Sequence, residues 1–416
     1  MKNRKLPETW KKINLEDYII TLESGKRPKG GAVSNGVPSL GGEHINNFGE
    51  FNIKSDKLKY VPRDFYEKMK SGIIKEGDIL VVKDGATTGK VAFVDTDFIL
   101  QEACINEHVF LLRTNKDICG KFLAYYLRSN LGQRKILNNF RGATVGGISK
   151  EFINFNMLLP PLEIQKKIVQ MLEKAEDALK KKKEAVKLLD ELVKSRFIEM
   201  FGDPVKNPMK LPKVKLENLG DWKTGGTPLR SESKYYNGNI PWLSSGELNS
   251  IYCFNSAEMI TKLAIKESSA KIIEKGSLLL GMYDTAALKS TINMIECSCN
   301  QAIAYAKLDP RLVNTIYSYY CIQIGKDFYK SQQRGVRQKN LNLSMIKGLE
   351  IIMPNLQFQN QFADFVKHVD KLKFEMEKSL KKLEDNFNSL MQRAFNGELE
   401  FNSQFAMDNS QLKMDK

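Results

Sequence analysis

Apolar positions along this chain follow two regimes in turn. Short β-branched runs, ILVV, KVAFV and VFLLR, are bounded by GD, DG and TN turn signals, which predicts short strands joined by tight loops. KFLAYYLRSNLGQRKIL then carries a helical pattern. After it the period changes. Leu172, Leu179, Val186, Val193 and Met200 recur every seven residues, flanked by Ile168, Ala175 and Leu189. That heptad predicts one long helix, opened at PPLEIQ, where prolines suit a first turn, and stopped at Gly202 ahead of Pro204.

The whole pattern then runs again. Leu15-Glu16 pairs with Leu216-Glu217 at an offset of 201 residues, and Gly25 with Gly226 at the same offset. VPSLGG resembles IPWLSS, and IIKEGDILVV resembles KIIEKGSLLLG with Gly77 opposite Gly276. RGATVGGISKEF resembles RGVRQKNLNLSM, and PPLEIQKKI resembles PNLQFQNQF at an offset of 194. A second long helix is predicted from Asn355, a good N-cap, to Gly397. Its apolar positions include Phe362, Phe365, Val369, Leu372, Met376, Leu380, Leu383, Phe387, Leu390 and Ala394, nearly all three or four apart. On a lone helix either stripe would stay wet. Two matching helices in one chain most simply pack on each other, with Leu172, Leu179, Val186 and Val193 on a seam against Val369, Leu372, Met376, Leu383 and Phe387. A coiled coil between two chains is the alternative.

The expected fold class is therefore α+β: two similar α/β globules separated by two long helices that form an antiparallel coiled coil, an internal repeat with pseudo-two-fold symmetry. The expected boundaries are 1–159 for the first globule, 160–203 for the first helix, 204–353 for the second globule and 354–400 for the second helix. Residues 401–416 form a C-terminal tail, expected to be flexible.

Charge narrows the partners. The 416 residues carry a net charge of +15. Glu173 to Arg196 accounts for only +2 and Asp364 to Arg393 for +1, so about 12 of the excess charges lie outside these helical segments. A basic chain of this size favours a polyanion such as nucleic acid or an anionic membrane surface; the plainer reading is a surface made basic for solubility. Six scattered cysteines and three histidines lack zinc spacing, and reduced, buried thiols are expected. No membrane span and no apolar signal core is visible, so the expected location is cytoplasmic.

KDGATTGK, residues 83–90, is the one stretch that resembles a phosphate-binding loop. It fails that reading. Only three residues separate Gly85 and Gly89, Val91 follows Lys90 where a hydroxyl is needed, and the next segment is a strand. Its repeat counterpart replaces Gly85 by Asp284 and Gly89 by Leu288 but keeps a lysine, Lys289. A hairpin turn fits both copies. GxGxxG after a strand, HExxH, GxSxG and the aromatic tetrapeptide of amino-methyltransferases are all missing, so no catalytic residue and no metal site is assigned.

LPETWKKINLED, SGKRPKGG, VPSLGGEHI, EGDILVVKDGATTGKVAFV and RGATVGGISKEFINFNMLLPPLEIQKKI, followed by a long helix and a second round, together resemble the specificity subunit of type I restriction-modification systems. The resemblance covers about residues 1–400; PNLQFQ and MYDTAALK depart from it in the second copy. It implies two target recognition domains, each reading one half of a split, asymmetric site in double-stranded DNA. It implies helices that set the spacing and dock two DNA-methyltransferase (modification) subunits, joined by restriction (motor-nuclease) subunits for phage defence. The chain itself would need no cofactor; S-adenosylmethionine, ATP and magnesium belong to the partners. A DNA-binding subunit of a related methyltransferase-nuclease system, or a basic coiled-coil dimer scaffold without sequence specificity, are the alternatives.

Loops are the place to read DNA, because strands and helices are consumed by the core. In the first copy the candidates are Lys26, Arg27, Lys29 and His44, then Lys83, Thr87, Thr88 and Lys90 on the hairpin, then Arg141 and Thr144. In the second they are Arg230, Lys234, Ser244 and Ser245, then Tyr283 and Lys289, then Arg334, Arg337, Gln338 and Lys339. Arg and Lys suit phosphates or guanine, and Gln suits adenine.

Overall fold

A computed structural model describes residues 7–53, 58–142, 146–283, 286–331 and 340–399. The chain divides into two compact units. Unit 1 holds residues up to Lys182 and from Ser379 onward; unit 2 holds Lys183–Lys378. The division falls inside both long helices, Leu162–Phe201 and Leu356–Phe395, so each helix gives one half to each unit. The tail over 401–416 lies outside the described residues.

In unit 1 an antiparallel sheet runs in the order Ile19–Ser24, Val109–Thr114, Ile79–Val82, Val91–Phe93. ILVV is buried on every residue because it sits at an inner position with packing on both faces. A second sheet orders Lys59–Val61, Val37–Leu40 and Cys104–Ile105, the last pair parallel. The predicted helical stretch is two helices, Gly120–Arg128 and Asn130–Leu137, broken at Ser129, whose hydroxyl caps the second by accepting from the Gly132 amide at 3.2 Å. Lys11–Asn14 pairs with Asn156–Leu159 and ties the start of the unit to the strand that feeds the first long helix.

Unit 2 repeats this plan. One sheet orders Lys223–Thr224, Ile303–Ala306, Leu278–Gly281, Ser290–Asn293 and Tyr252–Cys253. The other orders Glu258–Ile260, Tyr236–Leu243 and Ser298–Cys299, again with the last pair parallel. Lys213–Lys215 pairs with Glu350–Ile352, as the matching segments do in unit 1.

The helices pack within each unit. In unit 1, Leu172 and Leu179 of the first helix share a core with Phe387, Met391, Ala394 and Phe395 of the second. In unit 2, Leu189, Val193, Phe197 and Phe201 share one with Phe362, Val366 and Val369. The start of one helix meets the end of the other in both, which is the antiparallel pairing that the heptads predicted. Val186 is half-buried, and Met376 and Leu383 pack at the edge of these cores. Leu372 corrects the expected seam. It is 51% exposed, because Lys373 turns inward instead and its ammonium meets Asp190 at 2.6 Å. A polar contact thus replaces one apolar step of the stripe.

The motif that opens each helix has a structural purpose. Gln165 is fully buried; its Oε1 accepts from the Cys119 amide at 2.8 Å, and its Nε2 donates to the Asp117 and Pro160 carbonyls at 3.1 and 2.9 Å. Gln359 does the same in unit 2, accepting from the Asn314 amide at 2.9 Å and donating to the Pro354 carbonyl at 2.8 Å. Each glutamine latches the helix entry to the loop that precedes the unit's first main helix.

The repeat register needs one correction. Gly25 matches Gly225, not Gly226. A Cβ on Gly25 would lie 2.1 Å from the Ile105 carbonyl oxygen, and one on Gly225 would lie 2.3 Å from that of Cys299. Both glycines let a loop press against the same turn, which is why they are the equivalent pair.

Candidate nucleic-acid interface

KDGATTGK is a hairpin turn, and the described residues of its counterpart close in the same way. Gly89 has φ +87° and Leu288, its counterpart, has φ +56°. The amide of each donates back across the turn, to Val82 and Gly281, both at 2.8 Å. A glutamine from a neighbouring helix caps the same carbonyl in each: Gln133 on Gly89 and Gln323 on Leu288, both at 2.8 Å. The two hairpin lysines are braced. Lys90 donates to the Ile45 carbonyl at 3.1 Å, and Lys289 to Asn249 Oδ1 at 2.9 Å. Thr88 donates to the Gly85 carbonyl at 2.7 Å. Thr87, Thr88 and Lys90 line one cleft with Asn47, Arg128 and Gln133.

A second cleft in unit 1 gathers Lys26 and Arg27 with Lys59, Tyr60, Asn106, Glu107 and His108. Its floor is a turn built on Asn106. That residue's amide donates to the Leu40 carbonyl at 2.9 Å, and its Oδ1 accepts from the His108 amide at 2.9 Å, which lifts Glu107 and His108 to the surface. Arg27 reaches Glu107 at 3.5 Å, and His108 has Asp84 at 2.5 Å on one ring nitrogen and Glu107 at 3.5 Å on the other. Unit 2 builds the same turn on Asn300, whose amide donates to Leu243 at 3.0 Å and whose Oδ1 accepts from Ala302 at 3.1 Å. Here the lifted residue is Gln301, and the Thr227 hydroxyl donates to its Oε1.

Other candidates differ in their setting. Lys26 and Lys29 are exposed. Lys83 lies half-buried over the Phe110 ring, 3.8 Å from Asp84. Arg141 is 3.7 Å from Glu151. Arg230 places its fork on Glu258 at 2.5 and 3.1 Å and stacks over Tyr236 and Trp242 at 5.0 and 4.9 Å. The Glu258 carboxylate holds that guanidinium above the ordinary arginine value. Lys234 is 3.3 Å from Glu267, whose hydrogen bond holds the ammonium above the ordinary lysine value. Ser244 caps a short turn with Glu247, Ser245 is half-buried, and Tyr283 is 40% exposed. Thr144, Arg334, Arg337, Gln338 and Lys339 lie outside the described residues.

His44 is a correction. It is 1% exposed, and its Nδ1 accepts from the Gly41 amide at 2.9 Å, so it shapes the loop from within and offers DNA no edge. Glu107, His108 and Gln301, which these turns bring to the surface, do not stand out in the sequence. Their signal is the matched pair NEH and NQA beneath matched glycines, and it becomes visible only once Gly25 is set against Gly225. Cys297 and Cys321 are free, buried thiols, pushed up to about 12 by burial, and carry no reactive thiolate at neutral pH. Among the described residues no His, Cys, Asp and Glu side chains gather as a metal site, and no helix is long and apolar enough to cross a membrane.

The two units are matched folds that carry unlike loops, and comparison with known proteins gives the class to which they belong. The model of the type I restriction modification DNA specificity domain matches twice, over residues 7–188 and 208–385, and the chain belongs to that family. It is a specificity subunit, the non-catalytic component of a type I restriction-modification system. The MjaVIII specificity subunit of Methanocaldococcus jannaschii is 20% identical over 92% of this chain and 93% of its own length. The StySPI specificity subunit of Salmonella potsdam is 23% identical over 96% and 91%. Among solved structures, a chain from work on complex assembly and conformational transition of the type I R-M system superposes with a TM-score of 0.62 at 17% identity, covering 95% of this chain and all of that one. The S subunit from M. genitalium superposes with a TM-score of 0.53 at 14% identity, covering 95% and 98%.

Proposed function

We propose that unit 1 and unit 2 each read one half of a split DNA site, and that the two halves differ in sequence. The observation that carries this is the pair of equivalent turns: the same Asn-based scaffold lifts Glu107 and His108 in one unit and Gln301 in the other. Equal scaffolds with unlike side chains recognise unlike bases, so the target is not a palindrome. Each long helix has 40 residues, about 60 Å at about 1.5 Å per residue. One DNA turn is about 34–36 Å, so a rod of this length suits the spacing of two half-sites and the docking of two methyltransferase subunits. S-adenosylmethionine, ATP and magnesium then act on the methyltransferase and motor-nuclease subunits, in the cytoplasm. The recognition domains are taken as 1–159 and 204–353, with the spacer helices at 160–203 and 354–400.

In this reading Lys26, Lys29 and Lys90 meet phosphates, with Arg141 and Lys289 in the same role. Arg230 and Lys234 must exchange their own carboxylates for DNA. The test is to sequence methylated bases in a host with and without this gene and its methyltransferase. A two-part motif with an unread spacer is expected only when the gene is present. A continuous motif, or none that depends on the gene, would reject the reading.

A further inference from the structure

We propose that Gln301 with Thr227, and Glu107 with Arg27, are the matched specificity-determining positions of the two units: Gln301 reads an adenine, and the Arg27–Glu107 pair reads a G·C base pair. The inference rests on the DNA-reading function above and names its residues.

The equivalence is geometric. Gly25 and Gly225 press against the same backbone turn, at Ile105 and Asn106 in one unit and at Cys299 and Asn300 in the other. Their amides bond to equivalent carbonyls, Val109 at 3.4 Å and Ile303 at 3.0 Å. Two residues beyond these glycines stand Arg27 and Thr227; one residue beyond the asparagines stand Glu107 and Gln301. The side chains meet in each case, across 80 residues in unit 1 and 74 in unit 2. One backbone device therefore presents two different pairs at one place in the fold.

The chemistry of each pair differs in kind. Gln301 is exposed, its backbone is fixed by the Asn300 turn, and the Thr227 hydroxyl contacts its amide oxygen. A positioned amide offers one donor and one acceptor, the complement of adenine N7 and N6 in the major groove. In unit 1 the pair is ionic and half open to solvent, with side-chain exposures of 64% for Arg27 and 30% for Glu107. A guanidinium fits guanine O6 and N7, and a carboxylate accepts from the cytosine N4 amino group. Both edges belong to one G·C pair, so the Arg27–Glu107 pair presents a donor and an acceptor that complement the acceptors and the donor of that base pair. Neighbouring His108 is held on Asp84 at 2.5 Å and braces the Glu107 side.

The experiment uses the full complex of this chain with its methyltransferase subunits. The motif found by methylation sequencing is placed on a double-stranded oligonucleotide, and binding is measured for each single-base-pair substitution. Gln301→Ala should lower discrimination at one A·T pair, by roughly 5- to 150-fold, the usual worth of a bidentate base contact. Glu107→Ala should do so at one G·C pair in the other half. Should Gln301→Ala fail to fold, the near-isosteric Gln301→Glu serves, and should shift the preference at that pair from adenine toward cytosine. An unchanged substitution profile in these variants would overturn the proposal. So would an equal loss on every sequence, or relaxation of both variants in the same half. If the wild-type complex shows no two-part motif, the broader reading fails instead, so the two failures are told apart.

Discussion

At the scale of single residues, both units carry surface ion pairs between residues far apart in the chain. Arg27 meets Glu107, Arg63 meets Glu102 at 2.8 Å, and Arg230 meets Glu258. This is why candidate cations were legible in the sequence while their partners were not: a basic loop is a local signal, but an ion pair across 80 residues depends on the register of a whole sheet. His44 failed for the same reason, since nothing local says that its ring turns inward to Gly41. A different pair carries a testable cost. Burial pushes the Asp370 carboxyl above the ordinary aspartate value, against the hydrogen bond from Tyr252 and the charge of Lys373. Its Oδ2 is buried with no hydrogen-bond partner among the described residues. The folded state therefore holds that proton more tightly than the unfolded chain does. Stability from this group is fullest below the unfolded value of 3.8 and is lost as pH rises through the higher folded value. Asp370→Asn should flatten that decline and raise the melting temperature at neutral pH. Thermal unfolding from about pH 4 to about pH 7 checks it; a variant with the slope of the parent would count against it.

At the scale of elements, the long helices were the most legible part, because a heptad repeats its signal over 40 residues. The exception, Leu372, shows what periodicity misses. A stripe predicts which positions are candidates for burial, and the facing residue, here Asp190, decides which one turns in. Leu372→Lys should therefore change stability by less than about 0.5 kcal/mol. Leu179→Ala, at a site 6% exposed, should cost about 3 kcal/mol. Chemical denaturation separates the two, and equal costs would refute the assigned seam. The helix-entry glutamine is visible in the sequence as part of PPLEIQ and PNLQFQ, but its purpose is not legible there. Gln165 satisfies one buried amide and two carbonyls, and only the fold brings Cys119 and Asp117 to it. Gln165→Leu would leave the Cys119 amide unpaired, so unit 1 should lose about 2–3 kcal/mol. Hydrogen exchange at Cys119 gives a local readout, and protection equal to the parent would contradict the latch.

At the scale of the whole molecule, the net charge of +15 was read from composition and pointed to a polyanion. Much of that charge is partnered on the surface, so a phosphate backbone must compete with carboxylates already in place. The lysines of the Lys26–Arg27 cleft that have no such pair among the described residues should then dominate the electrostatic part of binding. Neutralising exposed Lys26 by Lys26→Gln should lower affinity on all sequences alike and reduce the slope of log affinity against log salt by about 1. Titrations at several salt concentrations measure that slope; an unchanged slope would remove Lys26 from the interface. The internal duplication was legible in outline, down to Gly77 and Gly276, which share a left-handed turn at φ +85° and +81°. It slipped by one residue at Gly25, where the loop lengths differ and only the close approach of backbone to backbone fixes the match.

The division of the chain has a consequence in time. Unit 1 is assembled from both ends, residues up to Lys182 and from Ser379, while unit 2 lies wholly between them. On a ribosome the stripe with Leu172 and Leu179 emerges long before Phe387, Met391 and Phe395 exist to cover it. Synthesis at about 5–20 residues per second leaves it waiting about 10–40 s for the intervening stretch. Unit 2 can close first, and unit 1 is completed only once the end of Leu356–Phe395 has been made. A nascent chain released before Ser379 thus holds all of unit 2 and only part of unit 1, with a sticky apolar strip that a chaperone would recognise.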